Sequence, residues 1–158
     1  MSEATMSAGT LTVYVPRDAT ALSLGADRVA QAIAAEAKAR NLEIKLVRNG
    51  SRGLFWLEPM VEVNTPAGRV AYGPVKTKDV PGLFDAGFLE GKAHALGQGL
   101  TEEIDYLKRQ ERLTFARAGI TDPWSLDDYI AHDGYRGLKR ALSMQPEAIV
   151  AEVTESGL

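Results

Sequence analysis

Alternation between apolar and polar positions organises the first half of the chain. Residues 10–15 (Thr-Leu-Thr-Val-Tyr-Val) alternate and are rich in β-branched and aromatic side chains, which predicts a strand ended by Pro16. Residues 17–24 read as a loop in which Asp18, Thr20 or Ser23 is a candidate helix cap. From Gly25 to Arg40 the period changes: Ala26, Val29, Ala30, Ile33 and Ala37 recur on one face, the signature of an amphipathic helix ending near Asn41. Residues 42–47 alternate again as a second strand. Residues 60–64 and 69–72 give a third and a fourth, joined by Thr65-Pro66-Ala67-Gly68 as an antiparallel hairpin. After the Gly73-Pro74 break, Thr77 or Asp79 can cap a helix through Phe84, with Pro81 tolerated in its first turn.

The stretch between the second and third strands, residues 49–60, departs from both periods. Gly50 and Gly53 mark tight turns, Pro59 leads into a strand, and Leu54, Phe55, Trp56 and Leu57 follow one another in a loop. Four apolar residues in a row need a cover, so they are candidates for an interface. The order strand, helix, strand, strand, strand, helix predicts an α/β class, with a parallel first pair, a hairpin and a covering helix. That is the compact layout of thioredoxin-like domains.

Four segments follow from the changes in pattern. Residues 1–9 predict a disordered tail, residues 10–86 the α/β domain, residues 87–100 a flexible linker rich in glycine, and residues 101–158 a mostly helical unit. In that last unit Thr101 opens a helix, Ser125 caps one from Leu126 to about Ala131, and Tyr135 starts another. Pro146 opens a final helix with Ile149, Val150 and Val153 as its buried stripe and Gly157 as its stop.

Composition narrows the chemistry. Hydrophobic content of 45% and charged content of 25% are those of a soluble globular protein. A net charge of −3 argues against nucleic acid as the main partner, and no apolar run is long enough to span a bilayer. The first residues have no basic region followed by an apolar stretch, which makes the cytoplasm the expected compartment. The chain has no cysteine, which excludes disulfides, thiol catalysis, thiolate zinc sites and conventional iron–sulfur ligation within it.

No residue set reads as catalytic or metal-binding. His94 in the glycine-rich segment reads as an exposed or hydrogen-bonding side chain. His132 with Asp127 and Asp128 reads as a solvated helix end. Lys108, Arg109, Arg112 and Arg117 lie among Glu102, Glu103 and Glu111, and read as a salt-bridged surface. No serine sits in an elbow that would support a hydrolase triad.

The last third nevertheless carries an ordered set of motifs: Tyr106-Leu107-Lys108-Arg109-Gln110, Ile120-Thr121-Asp122-Pro123, Ser125-Leu126-Asp127-Asp128-Tyr129-Ile130, Gly134-Tyr135-Arg136-Gly137-Leu138 and Ala148-Ile149-Val150 to Ser156-Gly157-Leu158. It resembles the entry to the flavin-bearing, NADH-oxidising (diaphorase) subunit shared by complex I, bidirectional NiFe hydrogenases and soluble NAD-dependent formate dehydrogenases. With Arg112-Leu113-Thr114-Phe115-Ala116-Arg117 the likeness is greatest to the formate dehydrogenase beta subunit. The first part resembles the thioredoxin-like ferredoxin domain that accompanies such subunits. That family's four cluster cysteines fall at Pro16, Ala21, Ser51 and Phe55, while Gly25-Ala26, Gly53 and Pro59 are kept.

The resemblance implies a cluster-free docking part of a diaphorase subunit, with no cofactor in this chain. FMN, a 4Fe–4S cluster and NAD are implied for the full-length parent, beyond the residues present. Implied partners are the flavin domain of the same subunit, a 2Fe–2S gamma subunit and a molybdenum-containing alpha subunit. The same part of a hydrogenase or complex I subunit is the alternative, and a stand-alone adaptor domain is an alternative of another class.

Overall fold

The structure, a computed structural model, describes residues 11–157. The tail expected at residues 1–9 and the strand residue Thr10 lie outside them. The chain forms two compact units, the first closing at Asp122 and the second running from Pro123.

The first unit is a mixed five-stranded sheet. Strands β1 (Leu11–Tyr14), β2 (Ile44–Val47), β3 (Val61–Thr65), β4 (Gly68–Tyr72) and β5 (Gly97–Leu100) lie in the order β2-β1-β3-β4-β5. β1 is parallel to β2 and antiparallel to β3, and β3 and β4 form the hairpin. The first four strands therefore adopt the thioredoxin-like arrangement read from the sequence.

Helices α1 (Ala19–Ser23), α2 (Ala26–Ala39) and α3 (Val80–Asp85) belong to one face of this sheet. The apolar stripe of α2, Ala26, Val29, Ala30, Ile33 and Ala37, is buried against Val13, Val15, Val61, Val63 and Tyr72. Each fully buried valine or isoleucine stabilises the unit by about 1.5–3 kcal/mol. Residues 17–24 differ from the expected plain loop, because the Asp18 carboxylate accepts the Thr20 N–H at 3.1 Å and starts the short helix α1.

Residues 87–100 also differ from the expected flexible linker. Phe88 is fully buried and Leu89 is 9% exposed, and residues 97–100 pair with β4. Glycines carry no alternating pattern, so β5 is defined by backbone pairing alone, beyond what periodicity detects. The sheet unit thus extends past the boundary drawn at residue 86. Helix α4 (Asp105–Lys108) and the turns around it lie on the second face of the sheet, where Leu107 packs with Leu54, Leu57, Met60 and Ala71.

Among the described residues, the second unit has three helices: α5 (Leu126–Ala131), α6 (Arg136–Ala141) and α7 (Pro146–Ser156). Ser125 caps α5 by accepting the Asp128 N–H at 3.1 Å, and Tyr129 meets Tyr135 edge to face at 5.0 Å. The buried stripe expected on α7 is corrected: Val150 is 66% and Val153 50% exposed. So short a unit has little apolar area with which to cover its own helices. No helix among the described residues is long and apolar enough to cross a membrane.

Candidate functional site

β2 delivers the chain into the loop at residues 48–60, and polar contacts fix its entry. Arg48 donates from Nε to the Val15 carbonyl at 3.1 Å and from Nη2 to Asp27 at 2.7 Å. The Arg17 N–H donates to the Asn49 carbonyl at 2.8 Å, extending the β1–β2 pairing into the loop.

The apolar run divides into two pairs. Leu54 is fully buried and Leu57 is 8% exposed, whereas Phe55 and Trp56 are 58% and 59% exposed. A single 3-10 turn, Phe55–Leu57, produces this division, because three residues per turn bring Leu54 and Leu57 to the same inner side and leave Phe55 and Trp56 outside. The turn is pressed against the end of β4: a Cβ on Gly73 would lie 2.4 Å from the Leu57 carbonyl oxygen, so only glycine fits there. Trp56 stacks edge to face on Tyr106, ring centroids 5.1 Å apart. An open groove beside Phe55 is bordered by Arg112, Leu113 and Phe115.

Beneath the turn, the Ser51 hydroxyl donates to Glu58 Oε1 at 2.7 Å and accepts the Gly53 N–H at 2.9 Å. The Met60 N–H donates to Glu58 Oε2, also at 2.9 Å. Burial raises the Glu58 carboxyl above its ordinary range, and the charges of Asp18 and Glu62 push the same way. The hydrogen bonds from Ser51 and Met60 oppose them.

A buried ion network ties the loop to the sheet. Arg52 donates from Nε and Nη2 to the two carboxylate oxygens of Glu62 on β3, and from Nη1 to Glu102 at 2.7 Å. Arg69 on β4 lies 3.8 Å from the same Glu62 carboxylate and stacks over the Tyr14 ring at 3.5 Å. Burial alone would lower the Arg52 pKa, but its hydrogen bonds and charge pairing with Glu62 and Glu102 outweigh that and raise it. Sequence reasoning missed this network. Arg52 reads as a loop cation, and Glu62 in Val61-Glu62-Val63 reads as the polar, outward position of a half-exposed strand. Had the second face of the sheet been known to be covered, a carboxylate there would have demanded a partner.

The sequence-assigned ligand positions do not fit a 2Fe–2S cluster. Pro16 is buried, Ala21 is fully buried in the helix-covered core, Ser51 is committed to Glu58 and Gly53, and Phe55 faces outward. None supplies a thiolate or an imidazole. Among the described residues, no three or more His, Cys, Asp or Glu side chains are grouped to hold a metal ion. His94 Nδ1 accepts the Leu96 N–H at 3.1 Å, a local turn contact, and His132 Nδ1 lies 2.8 Å from the Asp128 carbonyl oxygen and 3.1 Å from its carboxylate. Of the basic cluster, Lys108 pairs with Glu103 and Arg109 with Asp105, but Arg112 reaches across to the Arg52 carbonyl at 2.8 Å.

No protein-family model matches the chain. Over 51 residues, 32% of this chain, it is 47% identical to the NADP-reducing hydrogenase subunit HndC of Solidesulfovibrio fructosivorans, of which the match covers 10%. Over 37 residues, 23% of this chain, it is 51% identical to an NADH-quinone oxidoreductase subunit of Streptomyces coelicolor, of which the match covers 8%. The chain thus matches about a tenth or less of the length of these curated relatives. Among solved structures, a thioredoxin-like 2Fe–2S ferredoxin from Aquifex aeolicus superposes with a TM-score of 0.48 at 22% identity, covering 57% of this chain and 97% of that one. A second structure of a ferredoxin of that kind from the same organism gives a TM-score of 0.47 at 22% identity, covering 56% and 89%.

Proposed function

We propose that this chain is a cluster-free docking part of a diaphorase-type subunit in an NAD(P)-linked oxidoreductase. The division of the apolar run carries the reading: Leu54 and Leu57 fill the interior of the loop, while Phe55 and Trp56 remain outside with Tyr106 as an apolar contact surface. A loop that is closed by its own leucines and by the Ser51–Glu58 hydrogen bond has no use for a cluster as a structural centre. The short stretches of high identity to a hydrogenase subunit and to a quinone oxidoreductase subunit support the choice of assembly.

In such an assembly the hydride chemistry belongs to FMN in the parent subunit, and the residues here orient and cover the contact. The motifs around residues 112–117 favour a formate-linked complex, with the flavin domain and the iron–sulfur and molybdenum subunits as neighbours. The similarity to HndC favours a hydrogen-linked complex as the second reading.

The test is purification of the protein from its native cells, in the form in which the gene encodes it, followed by identification of co-purifying subunits. Formate-dependent NAD(P)⁺ reduction in the purified fraction supports the first reading and hydrogen-dependent reduction the second. A fraction containing neither activity nor any flavoprotein overturns both.

A further inference from the structure

Residues 109–122 cross the second face of the sheet in a series of turns, and their attachment is unusual. No side chain from residue 109 to 118 is buried, although Leu113 and Phe115 are large and apolar, at 82% and 72% exposed. Hydrophobic burial therefore does little to hold the segment. Polar contacts hold it instead, three of them made from the sheet side onto two neighbouring carbonyls. The Asn49 amide donates to the Gly119 carbonyl at 2.7 Å. Arg69 donates from Nη1 to the same oxygen and from Nη2 to the Ile120 carbonyl, each at 2.9 Å. The return contact is the donation from Arg112 to the Arg52 carbonyl. Gly119 is left-handed at φ +76, and a Cβ there would lie 2.1 Å from Arg52 Cδ, so the segment sits directly on the buried ion network.

We propose that residues 109–122 form a releasable strap, which can lift from the Arg52–Glu62–Arg69 network while the sheet beneath stays folded. The sheet keeps its own cohesion through the helix-covered core and the Leu54–Leu57–Leu107 cluster, neither of which includes a strap residue. The strap depends on a few charge-assisted bonds, each of which changes an opening equilibrium by about tenfold or more. Segments with few buried apolar contacts occupy the low end of a protein's range of local stability. Between the strap and the sheet lies a small, partly open cavity lined by Arg52, Glu102, Gln110 and Arg112 together with apolar residues such as Leu107 and Ile120, which lifting would widen.

Hydrogen exchange across the chain tests the strap. In wild type under low denaturant, the amides of residues 116–121 should exchange through a denaturant-independent opening, whereas those of β3 and β4 follow global unfolding. Arg69→Met removes both donations together with the guanidinium's stack on Tyr14, and should speed exchange in residues 116–121 by about tenfold or more with β3 and β4 unchanged. The proposal is overturned if strap amides in wild type exchange only with the global transition. It is equally overturned if Arg69→Met leaves strap exchange unaltered, or accelerates it only together with the sheet. The wild-type measurement decides the question even if the variant does not fold.

Discussion

Arg52 and Glu62 meet fork to fork, with Nε 3.1 Å from Oε1 and Nη2 2.9 Å from Oε2, the two side chains 5% and 1% exposed. The pair anchors a loop residue to the middle strand of the sheet. In a dry setting the attraction of such a pair is offset by the cost of desolvating both ions, so the pair specifies the loop's position more than it adds stability. Removing one partner is another matter.

Arg52→Met leaves Glu62 with Arg69 at 3.8 Å as its nearest cation, and should destabilise the unit by about 3–5 kcal/mol in denaturant unfolding. Adding Glu62→Leu to that variant should recover a large part of the loss. A double variant as unstable as the sum of the singles would show that the two side chains act independently.

Gly119 has two reasons to remain glycine, its positive φ and the Arg52 stem in the place of a Cβ. Gly119→Ala should cost more than about 1 kcal/mol, measured as a shift in the unfolding midpoint. Gly50→Ala is the control, because the nearest atom to its added methyl, the Gly119 nitrogen, is 3.8 Å away. Equal effects at the two positions would argue against the left-handed backbone and the packing on Arg52 as the source of the cost, because the reduced freedom of the unfolded chain favours alanine at both.

Glu58 gives the loop a pH dependence with a definite sign. Its folded pKa is raised above the ordinary 4.5, so between these two values the folded state binds more protons than the unfolded state. Stability from this residue is therefore greatest at low pH and declines as pH rises from 4.5 through the raised folded value. Glu58→Gln should flatten that decline in a series of unfolding curves across the window. A decline of the same slope in the variant would assign it to another group.

The parallel and antiparallel strands around α2 were legible because their side chains alternate and the helix stripe repeats at helical spacing. Residues such as Val13, Val63 and Ile33 have one purpose, burial, and their pattern states it. Arg52, Glu62 and Arg69 were not legible, because each sits at a position that is polar in any outward-facing loop or strand. Their meaning depends on residues 101–122 lying over them, a contact between positions 50 or more apart in the chain. β5 escaped notice for a different reason: Gly97 and Gly99 contribute only backbone to the sheet. The division of Leu54 and Leu57 from Phe55 and Trp56 needs the 3-10 turn, which a run of four apolar residues does not announce.

The docking role proposed for that run is tested most directly by separating its two halves. Leu54→Ala removes a fully buried side chain and should cost about 2–5 kcal/mol of stability. Phe55→Ser with Trp56→Ser should cost no more than about 1.5 kcal/mol, most of it the Tyr106 stack. The deciding measurement is assembly of the Phe55→Ser/Trp56→Ser double variant, in its full gene-encoded form, with the proposed diaphorase-type oxidoreductase in its native cells. The account predicts a folded protein whose recovery in the complex falls by about tenfold or more. Recovery at the wild-type level would contradict it.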